Sequence, residues 1–291
     1  MADALHSLVA AELAEPVEPR VRDMAAAIAE QYEPAARAVL FYGSCLRERS
    51  LDGLMLDFYL IVSSYRDAYG KGWFALANRL IPPNVFPFEH DGLTAKYAVL
   101  SERDFERECG LRARSTSVWA RFAQPSRLVW ASDAAAGLRV TVAVAEAAPT
   151  LFALTLPTMA EEERTDPLAV FQAGFALTYG AELRAERSGR PAAIVDSGPE
   201  RYRRIGQAVL DRASPAARKP RWRRRQAKGK LLSVVRIAKA STTFAGGIDY
   251  LVWKINRHSG TDIEVKPWQR RWPIVAAITL LPRLLKRGAI R

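Results

Sequence analysis

Residues 41–62 read FYGSCLRERSLDGLMLDFYLIV, and three of them are of types and spacing that suit polyanion chemistry: Gly43, Ser44 and Asp57. Glycine lets a backbone approach a ligand without a Cβ in the way. The N–H groups of such a turn form a concave donor set matched to phosphate oxygens, and Ser44 adds a small hydroxyl. Asp57 is the only charge within the apolar segment Met55–Val62. A carboxylate so placed is costly unless it is paired, hydrogen-bonded or bound to a metal. Twelve residues separate Ser44 from Asp57. The competing reading is an ordinary glycine turn next to a satisfied buried acid.

The elements that must position these groups are legible from periodicity. Residues 38–42 form a short apolar strand that stops at Gly43, and Met55–Val62 forms a buried strand. Helical spacing covers 4–14 and 21–32, broken by Pro16 and Pro19. Residues 63–70 read as a polar loop and 72–80 as a helix stopped by Pro82-Pro83. Residues 84–88 and 93–100 make a hairpin around the turn signal His90-Asp91-Gly92. That hairpin puts Glu89 and Asp91 at one end and Lys96 within the returning strand. Asp91 is also explained as a turn former with Gly92. A helix over 101–108 and a closing strand over 127–131 follow. From about residue 138 helical patterns dominate, with periodic helices over 171–187 and 201–210.

The 291 residues, 49% hydrophobic and 25% charged, suit a globular chain of two domains. The net charge of +12 points to a polyanionic partner: nucleic acid, an anionic membrane surface or a phosphorylated substrate. Eight basic residues and no acid occupy 218–230, with Trp222 among them. Such a run reads as a solvated segment or as one that sits on an anionic surface. The two cysteines, Cys45 and Cys109, and an N-terminus with early acids indicate a reducing, intracellular setting without a disulfide framework. His6, His90 and His258 lie far apart, which argues against a zinc site.

Read in order, the segments resemble the mitochondrial-type CDP-diacylglycerol synthases, or translocator assembly and maintenance proteins, within the nucleotidyltransferase superfamily. The resemblance covers most of the chain. Its YGS turn and MLDF strand are matched by Tyr42-Gly43-Ser44 and Met55-Leu56-Asp57-Phe58. Its DG turn and KYG strand correspond to Asp91-Gly92 and Lys96-Tyr97, with Ala98 in place of glycine. Ala120-Arg121 and Gln124-Pro125 echo a GR…KP segment, and Leu177 to Arg184 is similar to LSYSGDFR, with Glu182 where the family has aspartate. Ser233, Arg236, Lys239, Thr243, Ala245, Gly246, Tyr250 and Lys254 follow a later basic pattern, at altered spacing.

The resemblance implies an α+β fold: a nucleotidyltransferase (polymerase-beta-like) mixed sheet with helices over 1–135 and a smaller helical, winged-helix-like domain over 136–217. A basic segment and helical pair over 218–265 would complete the site, and an amphipathic helix over 266–291 would associate with membrane. The implied activity is magnesium-dependent condensation of CTP with phosphatidic acid, giving CDP-diacylglycerol and pyrophosphate. Gly43, Ser44 and Arg121 would hold the nucleotide, Asp57 and Asp91 would bind Mg2+, and Lys96 would act with Asp57 in catalysis. Lys239 and Lys254 would take the lipid phosphate. The expected partners are CTP, phosphatidic acid and an anionic membrane surface, not nucleic acid. The expected location is peripheral, on the cytoplasmic face of the inner membrane or the matrix side in a mitochondrion.

A phosphate monoester, with a second pKa of about 6, is mostly dianionic at neutral pH. Its attack needs cations and donors more than a general base. Two rivals stay open: a nucleotidyltransferase acting on RNA or a small soluble acceptor, and a non-catalytic membrane-binding protein with a degenerate form of the fold. Residues 272–285, fourteen in number, are the most apolar run but contain Pro282 and Arg283. A bilayer span needs about 20 apolar residues, so this run is expected to lie at the interface.

Overall fold

The computed structural model describes residues 4–47, 51–70, 72–181, 190–212, 220–243 and 266–268. Two apolar runs rich in β-branched and aromatic residues, Ala36–Tyr42 (β1) and Met55–Val62 (β2), pair antiparallel at the middle of a sheet. Asn84–His90 (β3) and Leu93–Ser101 (β4) form the expected hairpin, and β4 runs parallel to β2. Ser126–Ala131 (β5) pairs with the outer edge of β1, giving the order β3-β4-β2-β1-β5.

Side-chain alternation gives this sheet two different faces. Phe41, Phe58, Leu60, Tyr97 and Val99 pack with the helix Pro19–Glu30 (α2), whose Val21, Met24, Ala25 and Ile28 are fully buried. The opposite face carries Leu40, Tyr59, Ile61 and Leu100. The helices Ala4–Leu13 (α1), Glu102–Cys109 (α5), Ser117–Phe122 (α6) and Ala134–Ala145 (α7) contribute to the same core on that side, as do Ala147–Thr155 (α8), Pro167–Tyr179 (α9) and Pro199–Leu210 (α11). The core therefore continues across residue 135, where the sheet ends and the helices take over. Among the described residues no strand follows β5. Short helices at Tyr65–Tyr69 (α3), Trp73–Leu80 (α4) and Arg190–Asp196 (α10), and a long one at Trp222–Thr243 (α12), complete the described elements apart from single 3-10 turns.

Three expectations change. The polar loop over 63–70 contains α3, because the Ser64 side chain caps it by accepting from the Asp67 N–H. The helix expected over 171–187 begins earlier, at Pro167 behind the Asp166 cap, and ends at Tyr179 before Gly180. Within the basic run over 218–230, α12 begins at Trp222, and that residue is buried, its indole N–H donating to the Leu154 carbonyl at 2.8 Å. This tryptophan faces the protein's own core. Both cysteines are free and buried. The stretch Ala134–Thr158 is long and apolar enough to cross a membrane by composition, but 61% of its apolar window is buried inside the fold. Residues 272–285 lie outside the described residues.

Candidate functional site

The end of β1 brings the glycine turn to the carboxylate. Tyr42 is in register with Asp57, so the chain leaves the sheet beside that residue. Gly43 then takes φ +102°, a conformation that L side chains rarely adopt, and a Cβ there would sit 3.4 Å from Asp57 Oδ2. Ser44 opens the 3-10 turn Ser44–Arg47 and is exposed. On the other side Asp57 is in register with Lys96 across the parallel pair β2–β4. Lys96 Nζ lies 3.0 Å from Asp57 Oδ1, with side chains 28% and 23% exposed. The buried acid expected from sequence thus has a partner. A pair this accessible contributes only about 1 kcal/mol at most to stability.

A cavity of about 180 Å³ opens beside the pair, lined by Tyr42, Tyr59, Lys96, Arg121, Arg236 and Lys239 among others. Alternation along β2 and β4 explains the first half of this lining. Asp57 and Tyr59 share a face, as do Lys96 and Ala98. The α6 helix supplies Arg121, whose Nη1 donates to the Ser117 carbonyl at 2.6 Å. Burial pushes the Tyr42 hydroxyl well above the usual phenol range, and Asp57 adds to that, while Arg121 acts against it. Tyr42 is therefore a neutral hydroxyl between an acid and a guanidinium.

Helix α12 closes the cavity from the β3 side. Arg236 donates to the Pro82 carbonyl at 2.9 Å, to Ser117 Oγ at 2.7 Å and to Ser115 Oγ at 3.3 Å. Lys239 donates to the carbonyls of Ile81 and Pro83, the latter at 2.7 Å. Burial, and then repulsion from Arg236, push the Lys239 ammonium down to about 7. The cavity is thus a concave, cation-rich space with one carboxylate at its edge, suited to a phosphate-bearing ligand.

Of the residues singled out from sequence, Lys96, Arg121 and Lys239 line the cavity, and Asp57 and Gly43 adjoin it through the ion pair with Lys96. Asp91 does not line the cavity. It sits at the hairpin tip with φ +46°, beyond the His90–Leu93 pair, as a turn former. Lys254 and Glu182 lie outside the described residues. Among the described residues no group of three or more His, Cys, Asp or Glu side chains could hold a metal ion. Sequence reasoning assigned no role to Tyr42, Tyr59, Arg236 or Ser117. The two-residue spacing of Tyr59 from Asp57 was a signal for a shared face. Arg236 stood in the later basic pattern of the resemblance, which marked the residue but not its contacts with Pro82, Ser115 and Ser117.

No protein-family model matches the chain. No curated protein matches it either. Among solved structures, the chain is similar to a nucleotidyltransferase-like protein from Exiguobacterium sibiricum, with 9% sequence identity, 92% of each chain covered and a TM-score of 0.29. A likeness this slight carries no weight in assigning the site.

Proposed function

We propose that this chain is a nucleotidyltransferase whose nucleotide lies over the Gly43 turn, and that it transfers the cytidylyl group of CTP to phosphatidic acid. The observation that carries the reading is the Asp57–Lys96 pair set directly against a positive-φ glycine and opening onto a cation-lined cavity. The acceptor phosphate oxygen would form a bond to the α-phosphorus of CTP as the bond to pyrophosphate breaks. Lys96, Arg121 and Arg236 oppose the repulsion between the two anions, and the Gly43 turn orients the triphosphate.

The donor set fits magnesium only in one way. Asp57 is a single carboxylate with an amine already on it, which is too little for a free-standing site. Mg2+ is commonly bound by one or two carboxylates together with substrate phosphates and water, and Asp57 fits that role once a triphosphate is present. Bound there, the ion would neutralise charge on the phosphates. Lys96 would then turn from Asp57 toward the phosphates.

One observation favours a second reading, a binding protein without turnover: Asp57 is already neutralised by Lys96, and among the described residues no acid lines the cavity. Purified chain should be incubated with α-labelled CTP, Mg2+ and vesicles containing phosphatidic acid, and in parallel with RNA and with soluble phosphomonoesters. Labelled lipid with release of pyrophosphate supports the proposal. Label in RNA or in a soluble product moves the activity to another acceptor, and no transfer despite CTP binding supports the second reading.

A further inference from the structure

A second cleft, of about 440 Å³, lies between the 113–116 turn and the first turns of α12. Its charged wall is Arg114, Arg221, Arg224, Arg225 and Lys228, and among the described residues no carboxylate lines it. None of these five side chains is in an ion pair among the described residues. The arrangement is unfavourable for an isolated fold. Arg224 and Lys228 are like charges one helical turn apart on α12, with Arg221 immediately before the helix and Arg225 in its first turn. They also stand at the start of a helix, where its dipole disfavours cations.

The wall is nonetheless held firmly. Trp222 is buried and bonded to the Leu154 carbonyl, and Gln226 donates to the Leu177 carbonyl at 3.3 Å. Facing it, the 113–116 turn is shaped by buried Glu108, which accepts from the N–H groups of Arg114 at 3.1 Å and Ser115 at 3.2 Å. Five cations with no ion pair among the described residues, four of them exposed and all on two fixed elements around a concave space, suit a bound anion.

We propose that this cleft is a second anion site that takes a phosphate-bearing group of two or more charges, in addition to the cavity at Asp57. It does not depend on the nucleotidyltransferase reading. The two spaces share a wall: Ser115 lines the cleft, Ser117 lines the cavity, and Arg236 donates to both hydroxyls. An anion that draws on Ser115 or on α12 therefore acts on the position of Arg236. The phosphate can belong to a soluble polyphosphate or to a phosphomonoester lipid headgroup.

The test uses the full chain with inorganic tripolyphosphate as the probe, followed by calorimetry. The comparison is between wild type, Arg224→Glu/Lys228→Glu and Lys96→Ala/Arg121→Ala, each checked for an unchanged thermal transition. Arg224→Gln/Lys228→Gln replaces the reversed pair if that variant does not fold. Wild type should show two binding events. The Arg224/Lys228 variant should weaken one of them by about tenfold or more, since charge-assisted contacts are lost. The Lys96/Arg121 variant should weaken the other. A parallel arm uses vesicles containing phosphatidic acid, or phosphatidylglycerol at matched surface charge. Loss of tripolyphosphate binding in the variant assigns a soluble ligand, and a selective loss of phosphatidic acid binding assigns a lipid headgroup. Unchanged binding in both arms overturns the proposal. So does vesicle binding that follows charge alone, or single-stranded RNA that displaces the probe at physiological salt.

Discussion

Asp57 and Lys239 are the side chains whose environments say most about the chemistry. Asp57→Asn keeps the shape of the β2 strand and removes the charge that faces Lys96. Because that pair is partly exposed, folding stability should change by no more than about 1 kcal/mol. Turnover should fall by about 10²-fold or more if the carboxylate supports a metal and triphosphate. Equal rates of pyrophosphate release from the two proteins would remove Asp57 from the chemistry. Lys239 is held down to about 7 by burial and by Arg236, from an ordinary value of 10.5. Above pH 7 it is largely neutral in the free protein, whereas the unfolded chain keeps that proton up to 10.5. Stability should therefore rise with pH between these two values. Binding of a triphosphate favours the ammonium and should run the other way, with CTP affinity falling as pH rises through about 7 to 8. Lys239→Arg stays charged and should flatten that profile. A wild-type affinity that is level across this range would show that Lys239 does not meet the phosphates.

At the scale of elements, helix α12 decides whether the site is assembled, since Arg236 and Lys239 reach the cavity only while it is docked. Its seat against the segment that follows α9 is close: a Cβ on Gly229 would lie 2.2 Å from the Ala181 carbonyl oxygen. Gly229→Ala would raise helix propensity in isolation, yet it should lift α12 away and cost about 1–3 kcal/mol by overpacking. The signature would be earlier loss of hydrogen-exchange protection in peptides from 222–243, with the sheet unaffected, and a raised KM for CTP. Protection equal to wild type would mean that the helix adjusts without leaving its seat. This helix also marks where sequence reading ran out. Strands β1 to β5 were legible because their apolar runs alternate or end at Gly and Pro. That Gly43 stands near Asp57 was expected from two consecutive strands and a lone charge, whereas the pairing of Lys96 with Asp57 comes from the parallel β2–β4 register, which no local pattern encodes. The basic run at the start of α12 reads as solvated or as seated on an anionic surface; its cations are mostly exposed, but Trp222 turns inward and anchors the helix to the core, which a string of arginines does not signal. Contacts such as Arg236 to Ser115 and Ser117 join segments more than a hundred residues apart, a relation that no local period encodes.

At the scale of the whole molecule, the sheet half and the helical half share one core and are joined by a buried ion pair. Arg201 of α11 donates through Nε to Glu12 Oε2 at 2.6 Å and through Nη2 to Glu12 Oε1 at 3.0 Å, while Nη1 reaches the Ala123 carbonyl at 2.7 Å. One guanidinium thus ties α1, α11 and the end of α6. Burial alone would lower its pKa, but Glu12 more than compensates and the net direction is upward. The charge stays on at any ordinary pH. Arg201→Ala would leave the Glu12 carboxylate buried and unpaired, at a cost of about 3–5 kcal/mol. Arg201→Met with Glu12→Leu removes both charges and refills the space, and should recover most of that loss. Because Leu40 and Ile61 of the sheet belong to the same core as Phe152, Phe171 and Tyr202 of the helices, the damage should not stay local. In denaturant, exchange-protected peptides from β2 and from α9 should open together in wild type, and together at a lower concentration in Arg201→Ala. Early opening of α9 with β2 still protected would show two independently stable units instead, and would place the break near residue 135 in the energetics as well as in the element order.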